Sequence, residues 1–239
     1  KEMKIDINAI ITAFKAAIPY IPVTLRLALV PLLIGTAVGL IIALIRFYRL
    51  PILAKFFSGI ITVGKGIPIV LSLIVAYLVF SDAFDSISQA LGWSLQFKDI
   101  NREYIAMFVL SLDASIGLSE IFRGALTSIS QDQWDAAASI GLTQVQTIRR
   151  VVLPQMVPIV LPMICSQLIV LIKASALVSL VSVVDVLNGA LITSTTSYTF
   201  LESYIAAALI YWGLSILIEQ LSGFFERHYA RKFVRGTFV

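Results

Sequence analysis

Five charged residues lie inside stretches that are otherwise almost wholly apolar: Lys65, Asp113, Glu120, Lys173 and Glu219. At the centre of a bilayer an ionised side chain costs roughly 2.5–3.5 kcal/mol on insertion scales. Groups placed there need an opposite charge, water or a charged solute. The chemistry they offer is therefore ion pairing and solute binding. Two are cations and three are anions, so internal pairs can neutralise most of the set. Covalent chemistry has little to draw on. The single Cys165 sits in an apolar run and the single His228 in a basic stretch. No disulfide can form within the chain, and neither a zinc site nor a Cys–His nucleophile pair is expected. No GxxxxGK[ST] phosphate loop is present, so no nucleotide site of the chain's own is expected.

The elements that must position these charges are membrane spans. Hydrophobic residues are 59% of the 239, and charged residues only 13%, against about 25% charged in soluble domains. Mean hydropathy is +0.94. Residues 27–45 carry no charge. At about 1.5 Å per residue that run nearly matches a hydrocarbon core of about 30 Å. It is too long for a signal-peptide core and has no small-x-small cleavage site, so it is expected to be retained. Similar runs place spans at roughly 24–46, 56–80, 104–126, 154–175 and 203–225. In lipid each can satisfy its backbone only as a helix. The expected fold is an all-α integral membrane protein of about five transmembrane helices in a single domain, 1–239. An amphipathic segment at 1–22 is expected to end at Pro19 and Pro22 and to lie on the membrane surface. A polar stretch follows span two at 81–103, a soluble loop joins spans three and four at 127–153, a Gly/Ser/Thr-rich stretch occupies 185–202, and a basic tail closes the chain at 226–239.

Lys and Arg placement orients the chain. Arg46, Arg49 and Lys55 follow span one; Arg123, Arg149 and Arg150 go with the loop after span three; Arg227, Arg231, Lys232 and Arg235 lie in the tail. With five spans these fall on one side, which should be cytoplasmic. The N-terminus is then outside and the C-terminus inside. Lys1, Lys4 and Lys15 run against this assignment. The net charge of +4 is modest, and no nucleic-acid partner is expected.

The 127–153 loop contains WDAAASIGLTQVQTIRRVVLPQ, residues 134–155. Ala136, Ala137 and Ala138 favour helix and let another surface approach closely. Gly141 can turn left-handed, ending one short helix and starting the next. Trp134 and Asp135 open the motif, Asp135 on the exposed side of its helix. Leu153-Pro154 closes it, with Pro154 suited to a first helical turn. The spacing Asp-Ala-Ala, three residues, Gly, nine residues, Val-x-Leu-Pro resembles the cytoplasmic loop signature of ABC importer membrane subunits of the polar amino acid uptake type. Asp stands where that family has Glu, and Val where it has Ile. The flanks Glu120-Ile121-Phe122-Arg123-Gly124 and Lys173-Ala174-Ser175-Ala176-Leu177-Val178-Ser179 resemble the same branch.

The resemblance implies a coupling helix near 134–140 that docks on a separate ATP-binding cassette ATPase, where ATP and Mg bind. This chain itself is expected to bind no cofactor or metal and to catalyse no reaction. It also implies a second permease copy, identical or homologous, an extracellular or periplasmic amino-acid-binding protein, an amino acid substrate and a bacterial cell membrane. Such a zwitterion needs an acceptor and a donor at mid-depth. Asp113 is the expected acceptor for its ammonium, with Gly117 and Glu120 on one face of span three and Gly117 making room for a side chain. Lys173 either meets the substrate carboxylate or, as the favoured reading, pairs with a carboxylate of span three. Gly64-Lys65-Gly66-Ile67-Pro68 should interrupt span two, Lys65 standing where the family has Arg. Gly35 and Gly39 form a GxxxG pattern for close helix approach. Pro154, Pro158 and Pro162 should bend the start of span four. The competing reading is an ion-gradient carrier with Asp113 and Glu120 as ion sites; it leaves the loop without a purpose.

Overall fold

The computed structural model describes residues 5–236, with side chains through Arg227. Lys1 and Lys4 lie outside the described residues, as do the side chains of His228, Arg231, Lys232 and Arg235. The elements run α1 (Ile7–Ala17), α2 (Ile21–Phe47), α3 (Leu53–Gly66), α4 (Ile69–Ala90), α5 (Arg102–Ser128), α6 (Gln131–Ser139), α7 (Gln144–Thr147), α8 (Leu153–Ser175), α9 (Val186–Leu191), α10 (Ser194–Ser197) and α11 (Phe200–Gly236). Among the described residues five helical stretches are long and apolar enough to cross a membrane: 7–47, 69–90, 102–128, 144–181 and 200–227.

Two expected boundaries change. Pro19 and Pro22 do not end the first segment, because a 3-10 turn at Ile18–Tyr20 carries the helical path from α1 into α2. Pro fits there because it sits in a first turn, where its missing N–H has no intrahelical partner. Nor does α1 lie apart on a surface: Ala13 and Ala17 are fully buried against Val186, Ala190, Ala206, Ala207 and Ile210. Asp6 caps α1 through the Asn8 and Ala9 amides, at 2.8 and 3.3 Å. The second boundary is span two. The Gly64–Pro68 run separates two helices: α3 ends at Gly66, Ile67 turns extended and α4 starts behind Pro68. The crossing helix is therefore 69–90 rather than 56–80, and α3, at about 21 Å, is too short to cross. Residues before proline are driven out of helical geometry, which explains the stop at Ile67.

The central packing is α2 against α5. A Cβ on Gly35 would lie 2.7 Å from the Ala114 Cβ, and one on Gly39 would lie 2.9 Å from the Ser119 backbone nitrogen. The GxxxG pair thus brings two backbones together, as the sequence suggested. Gly39→Ala is expected to push α5 away and to cost about 1–3 kcal/mol by overpacking, read as a lower unfolding midpoint of the purified protein. Around this pair lie Leu27, Leu110, Leu118, Leu171 and Ile172, all fully buried. The Gly/Ser/Thr-rich 185–202 stretch is not simply an exposed loop: α9 buries Val186, Gly189 and Ala190. The basic tail continues α11 as helix to Gly236.

Candidate functional site

The 127–153 connector forms as its sequence dictates. Helix α6 ends in two backbone bonds, Gly141 N–H to Ala138 C=O at 2.9 Å and Leu142 N–H to Ala137 C=O at 3.1 Å. This is a Schellman closure and requires the left-handed φ of +77° that Gly141 adopts. Thr143 and Gln146 then form a capping box for α7. A π-helical turn, Ile148–Val152, leads into α8. Pro154 has no N–H and its ring crowds the carbonyl four residues back, so the looser π turn relieves that point. The Gln155 side-chain amide donates to the Val151 carbonyl there, at 2.9 Å.

The connector has an attached side and an open side. Trp134 packs on Phe47 at the end of α2, ring centroids 5.7 Å apart, and Ala137 is buried. Val152, fully buried, anchors the start of α8, whereas Leu153 is 40% exposed. Asp135, Ala136, Ala138 and Ser139 face outward, with Asp135 accepting from Gln131 Nε2 at 3.0 Å. Ile140 and Val145 flank Gly141, and each is 75% exposed.

The charged residues divide differently from the sequence expectation. Glu120 is the centre of a cluster. It pairs with Arg46, with Lys65 at 3.2 Å and with Arg123 at 3.3 Å. Arg46 also donates to Ser58 Oγ on α3, at 3.1 Å. Lys173 does not pair with a span-three carboxylate; it is exposed and forms no ion pair among the described residues. For Glu120, helix geometry explains this. Lys173 is about 30 Å along α8 from the connector, while Glu120 is only about 12 Å from the connector end of α5. The two charges lie at different depths.

Asp113, half-buried on α5, has no ion pair and no hydrogen bond among the described residues. Gly117, one turn away, does not open an empty gap. The half-buried Gln167 of α8 fills it, its Oε1 3.2 Å from where a Cβ on Gly117 would stand. Sequence reasoning passed over Gln167, although a lone amide inside an apolar span was a signal.

It also passed over Asp185, which is fully buried between helices. Its carboxylate accepts from Tyr211 OH of α11, from Ser175 Oγ of α8 at 3.3 Å and from the Asn188 amide of α9 at 3.2 Å. The adjacent Val186 amide donates to Thr24 Oγ1 of α2 at 3.3 Å. Three helices meet at this one acid, and α2 is tied in through its neighbour Val186.

Residues 35–231 match the model of a family described as binding-protein-dependent transport system inner membrane component. The probable amino-acid ABC transporter permease protein YckA of Bacillus subtilis (strain 168) is 31% identical over 220 residues, covering 92% of each chain. The arginine transport system permease protein ArtQ of the same strain is 29% identical over 224 residues, covering 90% of this chain and 95% of the relative. A crystal structure of an amino acid ABC transporter with histidines superposes with a TM-score of 0.78 at 27% identity, covering 95% of this chain and all of the other.

Proposed function

Because the chain belongs to the family of binding-protein-dependent transport system inner membrane components, we propose that it is the membrane-spanning subunit of an ATP-driven amino acid importer. The relatives named as amino acid and arginine permeases support the solute class. Two copies, or one copy with a paralogue, form the pathway. A separate ATPase binds ATP and Mg, and a binding protein delivers solute from outside. The N-terminus is external and the C-terminus cytoplasmic, in keeping with the placement of Lys and Arg.

The observation that carries this reading is the connector. It is closed at Gly141, tied to α2 through Trp134, and presents Ile140 and Val145 uncovered. Exposed apolar side chains on a short loop suit a protein partner. Asp135, Ala136 and Ala137 belong to the docking helix. Leu153 and Pro154 pass its movement into α8. ATP draws the two connectors together and the spans rock to an outward-open state; hydrolysis reverses the change.

Asp113, with Gly117 and Gln167 beside it, receives the solute ammonium, and Lys173, which has no carboxylate partner among the described residues, meets its carboxylate. The test is uptake by vesicles holding the complete complex. Uptake blocked by vanadate and indifferent to an uncoupler is expected; uptake that follows the ion gradient alone overturns the proposal. Within the same assay Asp113→Asn is expected to raise the half-saturating solute concentration about tenfold, the value of one charge-assisted hydrogen bond. Unchanged affinity at normal expression removes Asp113 from the solute site.

A further inference from the structure

The cluster around Glu120 is unbalanced. A purely structural ion pair would match one acid with one base, yet three cations converge on a single carboxylate: Arg46, Lys65 and Arg123. They are not equivalent. The Arg46 side chain is only 15% exposed and is held twice, by Glu120 and by Ser58. Lys65 is 51% exposed and Arg123 38% exposed. Each makes one contact to the same oxygen, Glu120 Oε2, and so leaves donors unused. The Arg123 Nε is buried with no acceptor among the described residues. A buried donor without an acceptor costs about 1–3 kcal/mol, a cost that an incoming anion would remove.

Position narrows the kind of anion. Glu120 is seven residues from Asp113 on α5, which returns it to the same helix face about 10.5 Å nearer the connector. Lys65 sits at the last turn of α3, beside the break at Ile67–Pro68. A solute released from Asp113 towards the connector side moves past this break. We propose that Lys65 and Arg123, held in place by Glu120 and Arg46, form a second solute station that takes the carboxylate of an amino acid on the inner half of the pathway. It rests on the import reading above. The α-ammonium and α-carboxylate of an amino acid share one carbon, so one solute cannot span the rise between the two stations. They are occupied in turn: ammonium held at Asp113 first, carboxylate held at Lys65 and Arg123 afterwards. Two unspent positive charges draw the solute inward, and Glu120 keeps them from holding it too tightly.

The test is titration of the purified, nucleotide-free permease–ATPase complex, without binding protein, with L-arginine, L-glutamine and the α-carboxamide of each. Wild type is expected to prefer the acids to the amides. Lys65→Gln is expected to weaken acid binding about tenfold, as for loss of one charge-assisted hydrogen bond, and to leave amide binding unchanged; Lys65→Arg restores the preference. Arg123→Gln should behave as Lys65→Gln does. If Arg123→Gln fails to assemble, Lys65→Gln alone decides, because its side chain is half exposed. Acids and amides weakening together, no change for either, or no binding of either acid by wild type would each overturn the station. Vesicle uptake by the wild type separates that outcome from failure of the import reading, since a true importer without this station still accumulates solute in a vanadate-sensitive way.

Discussion

Gly141→Val is expected to lower ATP-driven uptake at least tenfold while the chain still inserts and folds. The reason lies in the backbone. Gly141 holds φ at +77°, and no atom lies within 4 Å of where its Cβ would stand. Space is available, so the requirement is conformational. A β-branched residue in that region costs about 1–3 kcal/mol. The chain would avoid the cost by abandoning the two closing bonds to Ala138 and Ala137. Ile140 and the Thr143 capping box would then leave their present directions, and the surface offered to the ATPase would be lost. Gly141→Asn should keep most activity, because Asn tolerates the left-handed conformation. Gly124→Ala, on an exposed turn of α5 with nothing within 4 Å, should have no effect. The measurements are capture of the ATPase by tagged permease and vanadate-sensitive uptake. A Val variant that recruits its ATPase and accumulates solute normally would remove the connector from the mechanism.

Asp185→Ala should be the most destabilising single change outside the spans, at about 4 kcal/mol. It removes the cap of α9, worth about 0.5–2 kcal/mol. It also leaves the Tyr211 hydroxyl short of an acceptor beside a fully buried place, at about 1–3 kcal/mol for a stranded group, whereas Ser175 keeps its bond to the Ile172 carbonyl at 2.8 Å. Asp185→Asn keeps an acceptor and should cost about 1 kcal/mol. Protonation adds a second signature. Burial pushes the Asp185 carboxyl above its ordinary 3.8, while the hydrogen bonds from Tyr211, Asn188 and Ser175 pull it back. A raised folded-state pKa means the folded protein holds that proton more tightly than the unfolded chain. The stability this supplies is complete below the ordinary value and is lost as pH rises through the folded one. Thermal unfolding of wild type and Asp185→Asn across this range should show the slope in wild type and its absence in the variant. Equal slopes would place the titration elsewhere.

Much of the site was legible because its signals are local. Gly141 follows an alanine run at the place where glycine most readily turns left-handed and closes a helix, and Pro68, behind two glycines, disfavours helix at Ile67. Gly35 and Gly39 announced a close helix contact, though not that α5 would supply it. Lys173 shows the limit: charge counting alone suggested a partner in span three, and in the packed helices no described carboxylate of α5 pairs with it. The space above Gly117 looked empty in sequence and is occupied by Gln167, because only the packed arrangement brings α8 against that turn.

By itself the sequence determined that the chain crosses a membrane about five times and that a short polar connector with a fixed hinge joins the third and fourth crossings. Those follow from run length, hydropathy and single-residue backbone preference, all properties of neighbours in the chain. Only the tertiary structure decided which charges are neutralised. Glu120 meets Arg46 across 74 residues of sequence, and Asp185 meets Tyr211 across 26. Electrostatic partnership falls off with distance in space and carries no period along the chain, so no spacing rule could have found it.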